Sequence, residues 1–186
     1  MRVIAGEFRG RKLLAPRGGR IRPTSDPVRE AIFNILGPTW TYHEILDLFA
    51  GTGALGIEAI SRGAGKAVFV EQGREALKIL RGNLEALGLK SRARVLALAA
   101  KRGIKLLAEE GEAFDLIFMD PPYRKHFVGK TLQEIARQGI LSPPGLIVAE
   151  HSPTEAITPP PGLELSLQRR YGDTAISVYR SGSYSP

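Results

Sequence analysis

From residue 44 onward, apolar positions alternate between two rhythms. Short, nearly continuous apolar runs at 45–49, 67–70, 93–98, 114–119 and 146–149 predict strands buried on both faces. Between them, residues 54–62, 74–88, 101–110 and 127–138 read as helices. The stripe of Ala76, Leu77, Leu80, Leu84 and Leu87 is the clearest amphipathic match. Strands alternating with helices in this way predict an α/β fold with a mostly parallel sheet covered on both faces. Two further β-like runs, 163–168 and 174–179, are close enough in sequence to pair as an antiparallel hairpin at the sheet edge.

The first 26 residues follow a different pattern. Residues 3–8 and 12–15 are β-like and joined by the polar turn Arg9-Gly10-Arg11, which predicts a hairpin with arginines at its tip. Residues 16–26 are rich in Gly, Pro and Arg and therefore irregular. Asp26 then stands as an N-cap and Pro27 as the first residue of a helix through Leu36. Val28, Ile32, Ile35 and Leu36 lie at helical spacing along it. The expected organisation is a basic hairpin arm and loop over residues 1–26, and one α/β domain over residues 27–186.

Charge adds weight to that division. Of the formal net charge of +7, most lies in residues 1–30, where eight basic side chains face only Glu7, Asp26 and Glu30. A basic arm points to a polyanionic partner, because phosphate contacts give affinity independent of sequence. Cysteine is absent, which excludes a disulfide framework, a thiol nucleophile and cysteine-ligated zinc. His43, His126 and His151 do not cluster in sequence, so no metal is expected. No apolar run reaches the roughly 18 residues of a membrane span, and the N-terminus lacks a signal-peptide core. A monomeric, cytoplasmic protein is the expectation.

Two turns carry the chemistry. In Asp47-Leu48-Phe49-Ala50-Gly51-Thr52-Gly53-Ala54-Leu55-Gly56, the first strand meets the first helix of the α/β unit through a GxGxxG. Such glycines permit a tight turn and a close approach of backbone to ligand. Glu71, about twenty residues on at the end of the second strand, suits the ribose hydroxyls of an adenosine. Asp47 favours S-adenosyl-L-methionine over a dinucleotide. A carboxylate is repelled by pyrophosphate but attracted to an ammonium and a sulfonium.

The second turn is Asp120-Pro121-Pro122-Tyr123, delivered by the apolar run 114–119. An exocyclic base amine is a poor nucleophile because its lone pair is delocalised into the ring. Hydrogen bonds from its N–H groups to the Asp120 carboxylate and the Pro121 carbonyl would localise that pair and aim it. The prolines stiffen the turn beforehand, and Tyr123 can stack on a base that has left its helix.

With both turns in hand, the chain resembles the RsmD family of bacterial small-subunit rRNA methyltransferases, over nearly its whole length. The resemblance is carried by Ile4-Ala5-Gly6, Arg9-Gly10-Arg11-Lys12-Leu13 and Arg22-Pro23-Thr24-Ser25-Asp26. It continues through the helix containing Val28-Arg29-Glu30 and Phe33-Asn34, the Asp47 to Gly53 turn, Ser61-Arg62-Gly63-Ala64, and Asp120 to Tyr123. It implies a class I, Rossmann-like methyltransferase with a seven-stranded, mostly parallel sheet and an antiparallel edge hairpin. Its activity would be transfer of methyl from S-adenosyl-L-methionine to N2 of a guanine in 16S rRNA, free or in an assembling 30S subunit. By position, Asp47, Phe49, Gly51, Gly53 and Glu71 would contact the cofactor, with Thr24 closing over cofactor or target. Asp120, Pro121, Pro122 and Tyr123 would grip the amine, and Arg9, Arg11, Lys12 and Arg22 would hold RNA. The stretch Ala97-Leu98-Ala99-Ala100 departs from the usual pattern of such enzymes by offering no polar side chain to the adenine.

Other readings use the same residues. A nicotinamide-dependent oxidoreductase would use the glycine turn, though not Asp47 or the D-P-P-Y turn. A non-catalytic RNA-binding protein would keep the fold alone. DNA adenine N6 and a protein glutamine amide present the same planar, conjugated amine as guanine.

Overall fold

The computed structural model describes residues 1–16, 26–122 and 127–182. The elements run α1 (Asp26–Leu36), β1 (Glu44–Leu48), α2 (Ala54–Ser61), β2 (Lys66–Val70), α3 (Arg74–Ala86) and β3 (Ala93–Leu96). There follow α4 (Ala100–Glu109), β4 (Phe114–Met119), α5 (Phe127–Gln138), β5 (Leu141–His151), β6 (Leu163–Tyr171) and β7 (Thr174–Ser181). The strands form one sheet in the order β3-β2-β1-β4-β5-β7-β6. Neighbours from β3 to β5 are parallel, and β7 pairs antiparallel with both β5 and β6. The expected edge hairpin is therefore present, with β6 as the edge strand.

Both sheet faces are covered, which is why the strands read as unbroken apolar runs. On one face Ile45, Phe69, Phe118 and Val148 pack against α1, α2 and α3 through Ile32, Phe33, Ile57, Ile60, Leu80 and Leu84. On the other, Leu46, Leu48, Val70, Ile117 and Ile147 meet Ile104 and Leu107 of α4 and Val128, Leu132 and Ile135 of α5. No helix among the described residues is long and apolar enough to cross a membrane.

The N-terminal hairpin is shorter than its sequence pattern predicts. Its antiparallel pairing is a single bridge, Arg2 with Lys12, supported by Val3 N–H to Arg11 O (3.0 Å) and Gly10 N–H to Val3 O (2.9 Å). Residues 4–8 leave the ladder because α2 competes for their backbone. The Ile4 and Ala5 amides donate to the two oxygens of Glu58 (2.7 and 3.0 Å), and the Glu7 amide donates to Ser61 O (2.7 Å). The Phe8 amide donates to Ser61 Oγ, which in turn donates to Ala5 O. Further on, Leu14 N–H donates to Asn83 Oδ1 of α3 (2.7 Å), and Asn83 Nδ2 returns a bond to Leu14 O. Val3 and Leu13 join the core beside α1 and α2. A buried arginine on α1, Arg29, donates to Arg2 O and to Asp26 Oδ1. Asp26 is thus the first helical residue, with its carboxylate turned to Arg29.

Candidate active site

β1 and β4 lie side by side in parallel, with Asp47 opposite Phe118 and Leu48 opposite Met119. Their carboxyl ends therefore deliver the glycine turn and the Asp120-Pro121-Pro122 turn to one rim of the sheet, where open α/β sheets place their ligands. The two turns also approach each other through their flanks: the Phe49 ring lies 6.0 Å, centroid to centroid, from that of Phe127, which opens α5 just beyond the D-P-P-Y segment. Pro121 is buried and Pro122 exposed. Tyr123, Thr24 and Arg22 lie outside the described residues.

Asp47 lies on β1, one residue before its carboxyl end. It is 2% exposed, and its Oδ2 accepts the Gly56 amide at 2.9 Å. Burial pushes its carboxyl well above the usual range, and the nearby negative charges of Asp120 and Glu71 push the same way. Asp120 and Glu71 thus lie near enough to Asp47 to act on its charge. Gly56 is required here: a Cβ on it would lie 2.4 Å from Phe69 Cε1 and 3.2 Å from Asp47 Oδ2.

The turn itself is built from left-handed backbone. Phe49, Gly51 and Gly53 have φ of 61°, 55° and 81°, and only the glycines adopt this without strain. A Cβ on Gly51 would meet nothing nearer than Phe49 O at 3.9 Å, so the turn presents bare backbone on an open side. Glu71 holds it in place. Its Oε2 accepts the Gly51 amide (2.8 Å), while Oε1 accepts those of Gln72 (2.8 Å) and Gly73 (2.7 Å). A carboxylate offers about four acceptor positions, so three backbone amides leave capacity at Oε2. This fixing role was invisible in sequence, because it depends on the β1–α2 turn crossing the end of β2.

Past β3, Leu98 and Ala100 are half-buried against the α4–α5 face, an apolar wall at the stretch whose sequence offers the adenine no polar side chain. Of the expected RNA contacts, Arg9 and Lys12 are exposed. Arg11 is also exposed but is anchored, its guanidinium donating to Ala86 O at the end of α3 (3.0 Å).

The family model described as conserved hypothetical protein 95 matches residues 1–180. Ribosomal RNA small subunit methyltransferase D of Escherichia coli K12 is 36% identical over 181 residues, spanning 97% of this chain and 89% of the relative. The chain belongs to the RsmD family of methyltransferases. A solved hypothetical protein of Thermus thermophilus is 32% identical with a TM-score of 0.81, covering 96% of this chain and 98% of that one. TrmN from Thermus thermophilus, 22% identical with a TM-score of 0.67 over 83% of this chain and 48% of its own, shares the Rossmann-like methyltransferase fold. For an RsmD-family chain, the rim between β1 and β4 is the candidate active site.

Proposed function

We propose that this chain transfers a methyl group from S-adenosyl-L-methionine to the exocyclic N2 amine of a guanine in 16S ribosomal RNA. Family membership supports an rRNA methyltransferase, and one observation carries the chemistry: the glycine turn and the Asp120-Pro121-Pro122 turn end adjacent parallel strands, within electrostatic reach of each other. The residues present fit the cofactor. Asp47 is a buried acid suited to a cationic ligand, Gly51 leaves backbone open to a ligand, and Glu71 Oε2 has room for a ribose hydroxyl. When bound, S-adenosyl-L-methionine supplies a methyl carbon on a positively charged sulfur, already activated for displacement.

The chain's own residues then have three tasks. Asp47 offers negative charge to the cationic end of the cofactor, and Gly51, Gly53 and Phe49 shape the turn beneath it. The Asp120 carboxylate and the Pro121 carbonyl accept the two N–H bonds of the amine and hold its lone pair toward the methyl carbon. Such positioning, with electrostatics, supplies most of what an in-line displacement needs. As the nitrogen gains the methyl group it becomes acidic and sheds a proton late, to the Asp120 carboxylate or to solvent. Stacking on the extruded base is assigned to Tyr123 and contact with cofactor or target to Thr24, both outside the described residues. The arm of residues 1–26, with Arg9, Arg11, Lys12 and Arg22, holds the RNA backbone, in free rRNA or an assembling 30S subunit. The protein acts as a monomer in the cytoplasm.

Incubation of the purified chain with unmethylated small-subunit rRNA and labelled cofactor, followed by mass spectrometry of the nucleosides, tests this directly. The expected product is N2-methylguanosine at a single position. Methylated adenosine, or label found only in protein, would replace guanine with one of the other planar amines.

A further inference from the structure

Asp120 and Pro121 account for the amine of the target base but not for the rest of its edge. Guanine carries a second donor, N1–H, directly beside the amine, whereas adenine presents an acceptor at the equivalent ring nitrogen. A buried N–H left without an acceptor is penalised by the full desolvation cost of that group, so a site built for guanine needs another acceptor next to Asp120.

The sheet supplies one. β4 and β5 are parallel, with Phe118 opposite Val148 and Met119 opposite Ala149. One residue further, at the carboxyl edge, Asp120 and Glu150 follow on neighbouring strands. Phe118 and Val148 face α1 to α3, while Met119 and Ala149 face α4 and α5, so alternation turns Glu150 to the same side as Asp47, and Asp120, just past the end of β4, is near enough to Asp47 to act on its charge. Glu150 is 5% exposed, and its Oε1 receives Thr174 Oγ1 of β7 at 3.5 Å. The neighbouring His151 turns to the opposite face, where its Nε2 meets Ser177 Oγ at 2.7 Å. It therefore does not compete for the base.

We infer that Glu150 is the specificity-determining acceptor for guanine N1–H, completing with Asp120 a pair of carboxylates that reads the adjacent N1–H and N2–H donors. The inference rests on the guanine reading proposed above and deepens it. An adenine in the same position would turn its N1 lone pair toward a carboxylate and be rejected. A site that hydrogen-bonds a donor discriminates strongly against analogues lacking it, because its own acceptor is then left unmatched.

The test compares RNA carrying guanosine at the mapped target position with RNA carrying 2-aminopurine riboside there. The analogue keeps the 2-amino group but has an acceptor at N1. The wild-type enzyme should methylate the analogue with kcat/KM lower on the order of 10⁴-fold. Glu150→Gln can donate an amide N–H to that acceptor. Its amide oxygen can still accept guanine N1–H, so the variant should keep part of its activity toward guanosine, gain activity on the analogue and narrow the preference, with affinity for S-adenosyl-L-methionine unchanged. Glu150→Ala should lose the preference without gaining activity on the analogue. A purely structural Glu150 would lower both rates in proportion, so equal discrimination by all three enzymes overturns the assignment. No transfer by the wild type to guanosine RNA overturns the parent reading and this inference together.

Discussion

Asp47 shows how one residue joins fold and function. Its neighbours are apolar, its carboxyl is buried, and the nearby charges of Asp120 and Glu71 oppose ionisation. A carboxyl whose folded-state value is raised contributes stability below its unfolded value and loses that contribution as the pH rises through the folded one. A cationic ligand reverses the preference by favouring the anion. Affinity for S-adenosyl-L-methionine should therefore rise with pH through the elevated Asp47 range, with proton release on binding. Calorimetry in buffers of different ionisation enthalpy measures both. Asp47→Asn should weaken binding and flatten the profile; an unchanged slope in that variant would remove Asp47 from the cofactor site. The residue type and its place ahead of the glycines were legible in sequence, because turn chemistry is local. The three amides on Glu71 were not, because they join residues 51, 72 and 73 across two strands.

At the scale of elements, the central strands and helices were legible because period and burial agree. The arm was not, because its alternation over residues 3–8 competes with acceptors on α2. Glu58, 1% exposed, takes the Ile4 and Ala5 amides as well as Arg62 Nε (2.9 Å). Gly6 makes this approach possible. Its φ is +81°, and a Cβ there would fall 1.8 Å from Ser61 O. Gly6→Ala should therefore lift the arm off α2. Hydrogen exchange should accelerate at the Ile4, Ala5, Glu7 and Phe8 amides, and stability should fall by about 1–3 kcal/mol. RNA affinity should drop while cofactor affinity holds. Equal loss of both affinities would mean that the arm supports the whole fold rather than the RNA.

For the whole molecule, the sequence and the candidate site carry opposite charge. The basic side chains concentrate in the first 30 residues, whereas the rim between β1 and β4 is acidic. RNA binding should weaken steeply with salt, and Arg9→Ala and Lys12→Ala should each flatten the dependence of log affinity on log salt by about 0.7–0.9. Filter binding across a salt series measures this; Arg11 is the poorer probe because it also anchors the arm to Ala86. The account as a whole depends on methyl donor and base meeting where Asp120 stands. The most direct measurement determines, for Asp120→Ala, cofactor affinity by calorimetry and single-turnover methyl transfer to rRNA. The account predicts wild-type affinity with transfer reduced by about 10²–10⁴-fold; transfer at the wild-type rate would contradict it.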